Sequence, residues 1–164
     1  VFKTKAGNYL FYIIKTIHNM MNKCIIMAIA VCCFLIGTAQ AQTAPTGIWK
    51  TIDDKTGDAK SHVEIYENGG KYHGKIVKLL QRPADTVCEK CTGSKKNKAL
   101  VGMVILENLE TAKGFWRNGT ILDPESGSEY GCSVWFESGK PDELKVRGKH
   151  WTGLYRTQTW YRVK

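Results

Sequence analysis

The stretch Trp116-Arg-Asn-Gly-Thr-Ile-Leu-Asp-Pro-Glu-Ser-Gly-Ser-Glu-Tyr-Gly-Cys-Ser-Val-Trp-Phe136 decides the fold. Its first arm, Trp116 to Leu122, is rich in aromatic and β-branched residues, which suit a pleated, half-buried surface. Asp123-Pro124-Glu125-Ser126-Gly127 then supplies turn chemistry. The Asp can bond its own backbone, the Pro presets φ, and the Gly is free to take positive φ. The return arm alternates, with Tyr130, Cys132, Val134 and Phe136 on one face and Gly131, Ser133 and Trp135 on the other. That period of two, with one apolar face, predicts a β-hairpin laid against a core.

Working outward, the same grammar recurs. Gly47 to Thr51 reads as a first strand, closed by the polar turn Asp53 to Asp58. Ser61 to Glu67 alternates, with Val63 and Ile65 on one face and His62, Glu64 and Tyr66 on the other. Asn68-Gly69 follows, a strong hairpin signal because both residues tolerate positive φ, and Lys71 to about Leu80 is the partner strand. Gln81 to Ala99 breaks the pattern and predicts a long loop. Leu100 to Leu106 is a continuous apolar run, read as a strand from its Val and Ile content. After the turn Glu137 to Asp142, Leu144 to Arg147 and Leu154 to Val163 complete the set. About eight short strands joined by hairpins would leave two open edges in a flat sheet, and closure removes them. The expected architecture is all-β, a small antiparallel up-and-down β-barrel.

The amino-terminal part reads differently. From Met21 the chain has a short basic start, an apolar run from Cys24 to Ile36, and a small-x-small site at Ala39-Gln40-Ala41. These are the three parts of a cleavable signal peptide, here 21–41. Cys32 and Cys33 lie in the run, but bulky Val31 argues against a lipidation signal. Residues 1–20 fit no leader and read as an upstream extension. The expectation is an exported protein, periplasmic or secreted, with a single domain at 42–164. The apolar run falls short of the about 20 residues that span a bilayer, so no stable transmembrane segment is expected after cleavage.

The formal charge of +9 shrinks once the leader is set aside. Lys3, Lys5, Lys15 and Lys23 precede residue 42, leaving 20 Lys and Arg against 15 acids, a balance of +5. That is ordinary surface charge, and export argues against a nucleic-acid partner.

The mature chain resembles the domain of unknown function family 2147, small exported bacterial proteins. The resemblance rests on Gly47-Ile-Trp49, Tyr72-His-Gly-Lys-Ile-Val77, Cys88-Glu-Lys-Cys91, Trp116 through Pro124 with Gly127 and Tyr130, Val146-Arg-Gly148 and Arg156-Thr-Gln-Thr-Trp160. It implies a lipocalin-like barrel and brings no catalytic residues. A separate likeness to lipocalins lies in Gly47-x-Trp49 with a last-strand Arg, Arg162 or Arg156, over the Trp ring. It implies a structural closure of the barrel base by a cation–π contact of ~0.5–2 kcal/mol.

Cys88-x-x-Cys91 admits three chemistries. In an oxidising compartment it forms a disulfide closing a tiny loop. A zinc site would need Cys132 and one of His62, His73 or His150 to converge on it. A redox role would need a βαβ setting that the chain lacks. No cofactor motif or resident-metal pattern stands out, and no spacing suggests a catalytic triad or paired carboxylates, so the chain is read as non-catalytic. Asp123, Pro124 and Gly127 are read as turn residues. The last strand places Arg156, Gln158, Trp160 and Arg162 on one face. With Trp116, Arg147 and Trp151, Arg156 and Trp160 form the expected site for a small anionic or amphipathic ligand or an envelope component, because ligand sites favour barrel mouths. The rival readings are a thiol or metal protein centred on Cys88 and Cys91, and an envelope interaction module without a small ligand.

Overall fold

The computed structural model describes residues 44–54 and 56–164, together with the helical residues Lys15, Ile17, His18 and Met21. The chain divides into two compact units, 1–41 and 42–164. The signal peptide and upstream extension expected from the sequence otherwise lie outside the described residues. Among those described, no helix is long and apolar enough to cross a membrane.

Among the described residues eight strands follow one another: β1 (Gly47–Ile52), β2 (Ala59–Asn68), β3 (Lys71–Leu79), β4 (Val104–Ala112), β5 (Phe115–Asp123), β6 (Ser128–Phe136), β7 (Glu143–Lys149) and β8 (Tyr155–Arg162). Each pairs antiparallel with the next, and β8 returns to β1, so the sheet is a closed barrel. The seam is short. Trp49 pairs with Arg162 and Lys50 with Tyr161, and the Val163 N–H donates to the Ile48 carbonyl at 2.8 Å. The up-and-down barrel expected from the sequence is the one observed.

Inward alternation fills it. Val63 and Ile65 of β2, Cys132 and Val134 of β6, and Leu144 and Val146 of β7 are all buried. The ends differ in side-chain size. At the base, where β1 begins and β8 ends, aromatic rings pack in a chain: Tyr72 to Trp116 at 5.9 Å, Trp116 to Phe136 at 5.8 Å, Phe136 to Trp49 at 5.9 Å. Such tilted and edge-on pairs add about 0.5–1.5 kcal/mol each beyond area burial. Arg162 closes this end. Its guanidinium lies 4.3 Å from the Trp49 ring centroid, donates to the Thr46 carbonyl at 3.0 Å, and pairs with Asp142 at 3.4 Å. The Trp49 indole N–H donates to the Pro45 carbonyl at 2.7 Å. A Cβ on Gly47, whose φ is +126°, would meet Arg162 at 2.8 Å. Of the two arginines considered for this contact, the ring belongs to Arg162.

Three local expectations shift. The β2–β3 turn is Gly69-Gly70, with φ of +60° and +77°, while Asn68 pairs with Lys71. The turn moves one residue because Gly takes positive φ at lower cost than Asn. The strand predicted from Leu100 begins at Val104. Leu100 to Gly102 instead form a turn in which Gly102 has φ +89° and donates to the Ile76 carbonyl at 2.7 Å. The run is apolar because Leu100 and Met103 are buried under the loop, with no strand period behind it. Finally, β5 carries a bulge between Trp116 and Gly119, where Asn118 takes φ +62°.

Candidate functional site: the cavity at the barrel mouth

The end opposite the aromatic base holds a cavity of about 670 Å³. It exists because the inward positions there are small. Thr51 and Ser61 face each other across β1 and β2 with their hydroxyls 2.8 Å apart, and Gly148 stands where a side chain from β7 would otherwise project. Ile76, Ile105, Ile121, Leu122, Val146 and Trp160 make the lower wall apolar. Volumes of roughly 300–1,000 Å³, mostly apolar with a few placed polar groups, are those of small-molecule sites.

Polar groups climb from this wall to the rim along β8. The Trp160 indole N–H donates to Gln158 Oε1 at 3.3 Å, the Gln158 amide donates to Asp54 Oδ2 at 2.6 Å, and Asp54 pairs with Arg156. Across the rim, Glu125 takes Lys60 at 3.0 Å and Arg82 at 2.8 Å, and Lys60 lies 4.0 Å from Asp53. The rim is therefore zwitterionic, with each of these cations already held by a carboxylate. Pairs this exposed are worth about 0–1 kcal/mol each, so an incoming charged group can exchange with them at little cost.

The long loop 80–103 lies over one side of the mouth. Cys88 and Cys91 form a disulfide and both are buried. Around it the Cys88 N–H donates to the Lys98 carbonyl at 2.8 Å, the Asn97 N–H donates to the Cys88 carbonyl at 2.9 Å, and the Lys96 ammonium reaches the Glu89 carbonyl. This knot sits on the β5–β6 turn, with the Cys88 sulfur 3.5 Å from the Pro124 carbonyl. Gly127, at φ +72°, lies so close to Lys90 that a Cβ would fall on the Lys90 carbonyl. Asp123 builds that turn: its carboxylate accepts from the Glu125 N–H and the Ser126 hydroxyl, both at 2.9 Å.

Of the residues expected to form a ligand site, Arg156 and Trp160 line the cavity. Trp116 is in the aromatic base, 2% exposed, with its indole N–H buried and without a partner among the described residues. Arg147 is on the outer face of β7. Its partner there is Thr157, whose hydroxyl accepts from Nε at 3.1 Å, and its guanidinium lies between the rings of Trp135 and Tyr155. Trp151 is 89% exposed at the tip of the β7–β8 hairpin. Cys132 is buried in the wall of the barrel, and burial pushes its thiol up to about 12. His62 is held below the ordinary imidazole range by desolvation, then by Lys78 and Lys50. Among the described residues, no three His, Cys, Asp or Glu side chains gather as a metal site would require. Thr51, Ser61, Lys60, Arg82 and Glu125 were not singled out by sequence. The available signal was the small polar pair at inward positions of two strands rich in apolar ones.

Barrel and mouth together define a class: a small up-and-down β-barrel with an internal cavity open at one end. The chain belongs to the family DUF2147, an uncharacterized protein conserved in bacteria, whose model matches residues 47–162. That span runs from the first residue of β1 to the last of β8. Among solved structures the chain is similar to protein HP1028 from the human pathogen Helicobacter pylori, described as belonging to the lipocalin family. The TM-score is 0.64 at 21% identity, over 74% of this chain and 84% of that one. At that identity the likeness speaks for the fold alone. No curated protein matches.

Proposed function

We propose that this protein is an exported, periplasmic or secreted, non-catalytic carrier that holds one small amphipathic molecule with an anionic head. One observation carries the reading: an apolar chamber whose exit is ringed by exchangeable ion pairs. The apolar body of the ligand would lie against Ile76, Ile121, Val146 and Trp160, all in the cavity wall. Its head would take Arg156 from Asp54, or Lys60 and Arg82 from Glu125, since these are the cations already held at the rim. The Cys88–Cys91 disulfide then serves to hold the loop beside the mouth, because both its sulfurs are spent in the bridge.

The test is native mass spectrometry of the protein purified gently from the envelope or medium of a producing bacterium. The reading expects a retained small mass, released on denaturation, that carries both a hydrocarbon portion and an acidic group. Recovery of a ligand without apolar character, or of an empty protein across gentle preparations, would contradict it.

A further inference from the structure

The β7–β8 hairpin tip exposes its large apolar side chains more fully than any other described part of the barrel. Trp151, Leu154 and Tyr155 are 89%, 75% and 65% exposed, the three most exposed large apolar side chains among the described residues. Tyr155 opens β8, and Trp151 and Leu154 lie within the single tight turn before it. That turn is built rather than loose: the His150 N–H donates to the Leu154 carbonyl at 2.7 Å, the Gly153 N–H to the His150 carbonyl at 2.9 Å, and His150 Nδ1 lies 2.9 Å from the Thr152 hydroxyl. The fold thus holds Trp151 and Leu154 out in water, a position that costs hydrophobic free energy unless something covers them.

The charge around the tip is one-sided. From Lys145 to the end of the sequence there are six Lys and Arg and no Asp or Glu. Arg156 is held by Asp54, but no carboxylate partners Arg147 or Lys149 among the described residues. Arg147 is stacked between Trp135 and Tyr155, its centre 4.8 and 4.5 Å from the two ring centroids, so its charge is fixed beside the apolar tip. Several cations elsewhere on the barrel are paired with carboxylates, as in Lys75 with Glu64, Lys71 with Glu110, and Lys140 with Glu143.

We infer that this tip docks on an anionic phospholipid bilayer, with Trp151 and Leu154 entering the interface while Lys149 and Arg147 meet the headgroups. Trp and Tyr favour the level of the headgroups, and clustered Lys and Arg are attracted to anionic lipid. A protein partner fits less well. A stable protein interface needs about 800 Å² from each side with matching shape, whereas a convex tip of three side chains offers a wedge that a fluid bilayer accepts without complementarity. Leu154 and Tyr155 also line the cavity. Docking therefore turns the mouth towards the lipid, so that an amphipathic ligand can pass between the two. That last clause rests on the proposed function; the docking does not.

The experiment is flotation of the full chain with vesicles of phosphatidylcholine alone and of phosphatidylcholine with phosphatidylglycerol. Binding is expected to the anionic vesicles, to weaken as salt is raised, and to fall about fivefold in Lys149→Gln, in line with the attraction of one cation near a charged surface. The pair Trp151→Ser and Leu154→Ser is expected to lose about tenfold or more, from the apolar area withdrawn from the interface. Tryptophan emission should move to the blue on vesicles. Trp151→Phe should abolish that shift, because Trp49, Trp116 and Trp160 are buried and Trp135 is half-buried under Arg147. Undiminished vesicle binding by the Trp151 and Leu154 variant would overturn the inference, as would equal binding to neutral and anionic vesicles. So would a self-associated species that the same variant dissolves while vesicle binding stays absent. Vesicle binding by protein that retains no small molecule would uphold the docking and leave only the carrier reading to fall.

Discussion

Gly127 shows how much one residue can carry. It needs positive φ to end the β5–β6 turn, and its missing Cβ is what lets the Lys90 carbonyl approach. Gly127→Ala should therefore lower stability by about 1–3 kcal/mol, the range for strain at a special backbone position. Gly139 makes the comparison, since it also has positive φ, +75°, but nothing among the described residues lies within 4 Å of its Cβ position. Gly139→Ala should cost only the backbone term, about 1 kcal/mol, and urea unfolding of the two variants checks the difference. Cys132 gives a pH prediction. Its thiol is shifted from 9.0 to about 12 by burial. Between those values the unfolded chain has lost the proton and the folded one keeps it, so the unfolded state binds fewer protons and stability falls as pH rises. Wild type should lose denaturant resistance from about pH 9 upward faster than Cys132→Ala does, and equal slopes would contradict the burial. Alkylation mapped to Cys132 should likewise require unfolding.

At the scale of elements, most strands were legible because each has one wet face and one buried one. Val63 and Ile65 in β2, and Cys132 and Val134 in β6, are the residues that alternation placed inside. What escaped was wherever apolar character had another cause. Leu100 and Met103 are buried within the loop beside the mouth, so the run from Leu100 has no period to read. The bulge at Asn118 left no signal in the pattern beyond the Asn-Gly pair itself. The disulfide loop makes an element-scale prediction. Replacing Cys88 and Cys91 with Ser should cost well under the ~3 kcal/mol that chain entropy assigns to a bridge closing a 15-residue loop. The effect should instead be local: hydrogen exchange in 81–103 should quicken while the residues of the aromatic base, Trp49, Tyr72, Trp116 and Phe136, keep their protection. Uniform loss of protection would mean the bridge holds the whole barrel.

The unit 42–164 is a barrel sorted by side-chain size, with the stacked rings at one end and the cavity at the other. The candidate site was half legible for that reason. Arg156 and Trp160 follow from the alternation of β8, which points both into the cavity. Arg147 did not, because its face depends on the register that pairs it with Thr157, and one residue either way reverses the side. Trp151 could not be placed at all from periodicity, since it sits in a turn. The rim pairs join residues as distant as Asp54 and Arg156, or Lys60 and Glu125, which only closure of the barrel brings together.

The central claim, that the chamber takes an amphipathic anion, is tested most directly by titrating a fluorescent fatty-acid analogue into wild type and Val146→Phe. Val146 lines the cavity, and a larger apolar side chain there occupies the chamber without adding charge. Wild type should bind one probe saturably, Arg156→Gln should bind about fivefold more weakly, as for loss of one exposed charge contact, and folded Val146→Phe should not bind. Equal affinity in wild type and Val146→Phe would place the probe elsewhere and contradict the account.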